Sequence, residues 1–269
     1  ERRVFVKVCA IASGSSGNCI YVGTKESGIL VDVGISKKRI CEGLEREGFN
    51  LECIKAILIT HEHIDHVSGL GPILRKVPIP VYATRETIDA IWKKGNMAHV
   101  DEDLFHAIVP EQPFQVADIQ VMPVPISHDA ANPVCYTLQG DNQKIGIATD
   151  TGCYTADMVE YLRECNALLL EANHDINLLQ VGKYPYSLKM RILGEKGHLS
   201  NDASARFLQE LWSPKLQHIV LGHLSEENNF PELAYNTVTF ELEQNAFWSK
   251  QDIELLVAHR RSPSKLITI

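Results

Sequence analysis

Ala56-Ile57-Leu58-Ile59-Thr60 runs directly into His61-Glu62-His63-Ile64-Asp65-His66, and this junction decides how the chain is read. The apolar run is short and Ile-rich, as a buried strand requires. His61 and His63 stand two residues apart. The helical zinc motif HExxH needs its imidazoles at i and i+4, whereas a spacing of two puts both on one side only if the backbone is extended. Asp65 and His66 follow where the chain can turn into a helix beginning near Val67-Ser68-Gly69-Leu70. Three imidazoles and a carboxylate crowded at a strand end repel one another when protonated, and a bound cation removes that conflict. The competing reading is an incidental His-rich surface turn.

A metal needs three or four ligands and a pair needs more, so the rest of the chain should supply them. His128 follows Val121-Met122-Pro123-Val124-Pro125-Ile126, Asp150 closes Ile145-Gly146-Ile147-Ala148-Thr149, and His223 follows Ile219-Val220-Leu221-Gly222. Each alone reads as a structural residue. Together with His61 they make four strand ends that each deliver a ligand type, and sites in open α/β sheets assemble outside the carboxyl ends of strands.

Further strands are expected at 4–11, 19–22, 29–33, 54–60, 167–170, 217–221 and 253–257, with a strand-rich block over 104–149 in which PEQP and GDNQ mark turns. Helices are expected at 36–48, 84–94, 155–163, 202–212 and 231–245. Phe207, Leu208 and Leu211 share one face of the fourth, with Asn201-Asp202 as its N-cap candidate. The whole reads as a single α/β domain over 1–269 with two strand-rich halves, about 1–125 and 126–269.

The 269 residues can bury roughly three-quarters of the extended-chain surface, so no disulfide or metal is needed merely to build a core. Apolar residues make up 45% and charged residues 22%, a composition that excludes a disordered or fibrous chain. A net charge of −8 excludes coating nucleic acid through bulk charge; a polyanion must be held by a local basic patch or by metal ions. Seven cysteines without a CxxC pair read as reduced thiols of a cytoplasmic protein. The apolar run Val8-Cys9-Ala10-Ile11-Ala12 is too short for a signal peptide or a membrane span.

HxHxDH, a later lone His, an Asp in a TDTG turn and a GH after a strand, in that order, resemble the metallo-β-lactamase superfamily over nearly the whole chain. Asp32 in Leu30-Val31-Asp32-Val33-Gly34 matches the first motif of that family. The resemblance implies an α/β fold, the metallo-β-lactamase αββα four-layer sandwich, with two divalent metal ions at the sheet edges. His61, His63 and His128 would hold one ion; Asp65, His66 and His223 the other; Asp150 would bridge them. Asp32 would support the ligands, or else be an acidic turn residue. Zn²⁺ or Mn²⁺ suits such donors, and Fe²⁺ can occupy them.

The intact Asp/His second site is similar to the phosphodiesterase branch of the superfamily. Ser13-Gly14-Ser15-Ser16-Gly17-Asn18, Glu171-Ala172-Asn173-His174-Asp175, Gly182-Lys183-Tyr184-Pro185, Gly197-His198-Leu199-Ser200-Asn201 and Leu224-Ser225-Glu226-Glu227-Asn228-Asn229 together resemble the YycJ (WalJ) family. That family consists of bacterial cytoplasmic proteins associated with DNA exonuclease activity from 5′ ends. The reaction this implies is phosphodiester hydrolysis by attack of a metal-bridging hydroxide, with double-stranded DNA as the partner and no membrane. The oligomeric state stays open, a homodimer included. Glu171 and His198 resemble the acid–His pair that protonates the leaving oxygen in RNase Z-like relatives. His198 buried for packing is the alternative, and His174 is a rival for the acid role or a phosphate contact.

For substrate phosphates the candidates are Ser15, Ser16 and Asn18 in the Gly/Ser turn, which could equally be a tight turn beside the site. Lys183, Lys189 and Arg191 join them from a basic stretch that could equally be a solvated face. Lys37-Lys38-Arg39 is a second basic run. Tyr184 and Tyr186 can stack on bases or simply pack. Cys153 is flagged as a neighbour of the metal site. Competing functions are a small-molecule hydrolase (a cyclic phosphodiesterase or thioester hydrolase), an RNA nuclease, or a regulatory protein that kept the fold. Steep salt dependence marks a polyanion substrate over a small ester.

Overall fold

The computed structural model describes residues 6–244, 248 and 253–269. Val4 and Phe5 of the first expected strand and Asn245 of the last expected helix lie outside them. Two seven-stranded sheets lie face to face. The first contains β1 (Lys7–Ala12), β2 (Cys19–Gly23), β3 (Gly28–Val31), β4 (Ile54–Leu58), β5 (Val81–Thr84), β6 (Phe105–Ile108) and β14 (Ile267–Thr268), in the order β14-β1-β2-β3-β4-β5-β6. The second contains β7 (Phe114–Val116), β8 (Ile119–Pro125), β9 (Val134–Gly140), β10 (Gln143–Ala148), β11 (Ala167–Glu171), β12 (His218–Gly222) and β13 (Glu254–Val257), in the order β13-β12-β11-β10-β9-β8-β7.

Alternation along the strands builds the layers. In β4 Ala56 and Leu58 face the second sheet, and Ile57 faces outward. In β11 Ala167 and Leu169 face the first sheet, and Leu168 and Leu170 face outward. The outward face of the first sheet is covered by α1 (Lys37–Arg46), α3 (Leu70–Leu74) and α4 (Arg85–Lys93), which bury Ile40, Leu44, Leu70, Ile73, Ile88 and Ile91. On the second sheet the cover is α5 (Ala156–Leu162), α8 (Asn201–Glu210) and α9 (Pro231–Glu243), through Met158, Leu162, Phe207, Leu208, Val238 and Leu242. The result is a four-layer αββα sandwich. Among the described residues no helix is long and apolar enough to cross a membrane.

Several local details differ from the sequence expectations. The switch between sheets falls between Ile108 and Phe114, not near 125, because β7 and β8 pair with β9, and β14 returns to β1. The helix after the HxHxDH run, α2 (Ile64–Val67), starts three residues earlier than Val67, with extended His63 as its N-cap. The cap of α8 is Ser200, whose side chain accepts from Ala203 N–H, one residue before the expected Asn201. Two helices, α6 (Ile176–Val181) and α7 (Tyr186–Leu193), carry no sequence signal: α6 buries only Leu179 and α7 buries nothing, so neither shows an apolar stripe. The GDNQ turn is a two-residue hairpin loop, Asp141 and Asn142 both at positive φ, joining β9 to β10.

Strand direction positions the site. β3 and β4 run parallel, as do β10, β11 and β12, and β8 runs the same way as β10 because both are antiparallel to β9. Their carboxyl ends therefore open on common edges. Across the sandwich the Tyr136 hydroxyl, on β9, donates to the Ile59 carbonyl just before His61 at 2.8 Å. Tyr136→Phe is expected to cost about 1–2 kcal/mol, read as a lower denaturant midpoint at unchanged slope.

Candidate metal centre and active site

Asp32 follows β3, His61 lies three residues past the end of β4, His128 follows β8, Asp150 follows β10, Glu171 ends β11 and His223 follows β12. Asp32, Asp150 and His223 have φ of +58°, +59° and +54°. The left-handed region costs a residue with a Cβ roughly 1–2 kcal/mol, strain typical of functional positions. At these strand ends it breaks the ladder at the residue that carries the ligand-type side chain. Gly34 lets two loops of the site touch: a Cβ there would lie 1.5 Å from the Asp65 carbonyl oxygen.

Among the described residues the donor atoms of His61, His63 and His128 lie within 4.8 Å of one another, as do those of Asp65, His66, Asp150 and His223. His66 Nε2 is 3.2 Å from Asp150 Oδ2 and 3.4 Å from Asp65 Oδ2. His223 Nε2 is 3.4 Å from Asp150 Oδ1 and 3.5 Å from Asp65 Oδ2. Asp150 Oδ1 is also 3.9 Å from His128 Nε2, so this carboxylate stands between the two groups.

The other ring nitrogens are spoken for. His66 Nδ1–H donates to Asp32 Oδ2 at 2.7 Å and His223 Nδ1–H to Glu171 Oε1 at 3.0 Å. His128 Nδ1–H donates to the Gly197 carbonyl at 3.1 Å. Thr60 gives both its N–H and its hydroxyl proton to Asp32, each at 2.9 Å, and its oxygen is then an acceptor for His61 Nδ1–H at 3.0 Å. In all four rings this fixes a proton on Nδ1 and aims Nε2 inward at the cluster.

These residues fit a divalent metal pair. His61 Nε2, His223 Nε2 and Asp150 Oδ2 are buried with no hydrogen-bond partner, and His63 Nδ1 sits 3.3 Å from His128 Nε2. Unpaired buried polar atoms are costly, and a cation between these nitrogen and oxygen donors satisfies them all. The charge balance is divided in the same way. Burial and the neighbouring imidazole of His66 lower the pKa of His61. Burial also disfavours charge on His66, but Asp150, Asp32 and Asp65 outweigh it and raise its pKa; His223 is raised likewise, to about 10. The carboxylate side of the cluster asks for positive charge, and the imidazole side offers lone pairs.

Glu171 is fully buried and uses both oxygens. Oε2 accepts from Thr151 N–H at 3.0 Å and Leu199 N–H at 3.3 Å; Oε1 accepts from His198 Nδ1–H at 2.7 Å as well as from His223. Burial pushes its pKa up, but the charge and hydrogen bond of His198, with those of His223, hold it down at about 2. The pairing in turn raises His198, against burial. His198 lines a cleft of about 150 Å³ with Ser15, Asp129, Tyr184, Arg191 and Ser225. Glu171 and His198 also form a further donor group with Asp150 and His223.

The remaining candidates separate. Ser15 and Arg191 line the cleft; Lys183 and Lys189 do not, and Lys189 Nζ donates to the Gln180 carbonyl at 2.7 Å. Ser16 is exposed in the turn. Asn18 is fully buried, accepting from Gly14 N–H at 2.9 Å with its amide nitrogen 3.2 Å from His66 Nε2, so it braces the turn and cannot meet a substrate phosphate. His174 is buried behind Asn173, and burial lowers its pKa to about 4, which leaves it neutral and unsuited to donate a proton. Cys153 belongs to none of the donor groups.

Three contributors escaped the sequence reading. Thr60 orients the His61 imidazole, Asn173 donates to the His223 carbonyl at 3.0 Å, and Asp129 pairs with Arg191 through one oxygen while the other stands 4.0 Å from His63 Nε2 and 3.5 Å from His128 Nε2. Only adjacency to a candidate ligand could have marked them. Thr60→Val is expected to weaken metal affinity about 10- to 100-fold. That effect is read from the metal concentration giving half-maximal activity, with turnover largely restored at saturating metal.

Fold and site together define the class, and the profile of the β-lactamase superfamily domain matches residues 28–223. The chain is 36% identical to Exodeoxyribonuclease YycJ of Bacillus anthracis over 95% of its own length and 96% of that protein. It is 37% identical to Exodeoxyribonuclease WalJ of Streptococcus pneumoniae over 88% of each chain. The metallo-β-lactamase fold protein YhfI from Bacillus subtilis is similar over 99% of this chain and 100% of that one, with a TM-score of 0.71 at 15% identity, a likeness of fold alone. The chain belongs to the YycJ/WalJ family of the metallo-β-lactamase superfamily.

Proposed function

We propose that the protein is a metal-dependent exodeoxyribonuclease that hydrolyses phosphodiesters of double-stranded DNA from 5′ ends. The observation that carries this reading is the convergence of seven ligand-type side chains, three of them (His61, Asp150 and His223) with a buried donor atom that has no hydrogen-bond partner, in a chain that shares over a third of its residues with a named exodeoxyribonuclease along nearly its full length. His61, His63 and His128 would hold one divalent ion and Asp65, His66 and His223 the other, with Asp150 available to both. When bound, the ions supply an activated water and polarise the phosphoryl group.

The chain's own groups do the rest. Asp32 and Thr60 fix the rings of His66 and His61, so the ligand field is set before substrate arrives. Glu171 accepts the hydrogen bond from His198 Nδ1–H and supports the positive charge of the ring, which leaves Nε2 to hold the proton that goes to the leaving oxygen. Arg191, on α7, presents positive charge to the backbone phosphates at the cleft.

The test is an assay of protein reconstituted with Mn²⁺ or Zn²⁺ on end-labelled duplex DNA, beside RNA and bis(p-nitrophenyl) phosphate. Release of short labelled products from 5′ ends, weakening steeply with salt, is expected. Turnover of the chromogenic ester alone would contradict the nuclease assignment while leaving the metal centre standing.

A further inference from the structure

Arg260 lies in the turn after β13, and its guanidinium spans two loops of the active site. Nη1 donates to Ser15 Oγ at 3.3 Å, and Nη2 donates to the Leu224 carbonyl at 2.9 Å. Leu224 is the residue after His223, so the arginine is anchored one residue from the metal cluster. Gly14 leaves room for it: a Cβ there would stand 3.2 Å from Nη1. The side chain is only 20% exposed, and the carboxylate it faces, Glu226, stays 3.9 Å away, beyond hydrogen-bond reach. Arg191 across the cleft differs, because Asp129 pairs with it directly. An arginine carries five donors in a rigid fork, and the two bonds to Ser15 and Leu224 hold this fork in place without neutralising it.

Ser15, one of the arginine's two anchor points, and Ser225, the residue after the other, line the same cleft as His198, so the arginine stands behind that wall of the cleft. That cleft has a volume of about 150 Å³. At about 10–15 Å³ per water-sized group it admits on the order of ten such groups, enough for a phosphate and part of a sugar but not for a strand passing through. A terminal phosphate monoester offers three free oxygens and close to two charges, against two oxygens and one charge on an internal diester. A fixed guanidinium beside a hydroxyl favours the former.

We infer that Arg260, with the Ser15 hydroxyl, forms the pocket for the 5′-terminal phosphate of the strand being degraded and so determines which ends the enzyme accepts. The inference rests on the nuclease reading above. It predicts that duplexes of one sequence, differing only in a 5′-phosphate or 5′-hydroxyl end, are degraded at different rates.

The experiment compares kcat/KM for the two duplexes in wild type, Arg260→Ala, Arg260→Lys and Ser15→Ala, with metal content measured in each. The wild type is expected to favour the phosphorylated end by at least about tenfold. Arg260→Ala brings the two ends to within about twofold, and Arg260→Lys, which keeps the charge but loses the fork, falls between. Ser15→Ala narrows the ratio less than Arg260→Ala does. Because the ratio is taken within each variant, a general loss of folding or metal lowers both rates and does not mimic the effect. A wild type that treats both ends alike, or Arg260 variants that keep the wild-type ratio, overturn the inference and leave the nuclease reading intact. Failure to degrade either duplex while bis(p-nitrophenyl) phosphate is hydrolysed overturns both.

Discussion

Asp150→Asn is expected to lower turnover by about 10³-fold or more and to strip metal from the protein. The carboxylate lies within 4 Å of His66, His128, His198 and His223, and its Oδ2 is buried without a hydrogen-bond partner. It is the group of the cluster that touches both donor sets. An amide of the same shape keeps the packing but offers one oxygen, no charge and an N–H₂ aimed at bare imidazole nitrogens. Elemental analysis and activity should therefore fall together. The variant should also lose the metal-dependent rise in melting temperature, since an ion bound only to the folded state stabilises by about 2.7 kcal/mol at a hundred times its dissociation constant. A variant that keeps a full metal complement would remove Asp150 from the bridging position proposed for it.

The second large effect belongs to His198→Ala. Its Nδ1 is committed to Glu171 at 2.7 Å and its ring lines the cleft, so the variant loses the proposed proton donor while the seven proposed ligands stay in place. A drop of about 10²- to 10⁴-fold in kcat with metal content near that of the wild type is the expected result. Loss of metal in step with activity would instead make His198 a ligand, in the group it forms with Asp150, Glu171 and His223. The same variant assayed on a diester with a good leaving group, which needs little protonation, should lose much less.

Much of this architecture could be read from residues alone because it is written in strand ends. In parallel strands both faces are buried, so β4, β10, β11 and β12 appear as continuous apolar runs, and the residue that ends each run is conspicuous. His61, Asp150 and His223 were visible for that reason, whereas Asp32 and Glu171 were marked only by resemblance to the family's motifs. The turn Asp141-Asn142 was legible because residues that tolerate positive φ mark a hairpin.

What escaped had no periodic or chemical mark. Helices α6 and α7 bury almost nothing, and Tyr186 at the start of α7 is 77% exposed, so no apolar stripe announced them. Thr60 looked like the last residue of a strand, yet its hydroxyl links Asp32 to His61. Asn18 had the composition of a phosphate-binding turn, and only packing shows it turned inward against Gly14 and His66. Arg260 lies 245 residues from Ser15 in the chain, a contact that no local pattern could signal.

Anomalous diffraction from crystals of the Mn²⁺- or Zn²⁺-loaded protein reaches the heart of the matter. Two peaks about 3.5–4 Å apart are expected, one among His61, His63 and His128, the other among Asp65, His66 and His223, with Asp150 touching both. No peak at that place under any loading condition, or peaks elsewhere on the molecule with these side chains left unliganded, would contradict a two-metal centre.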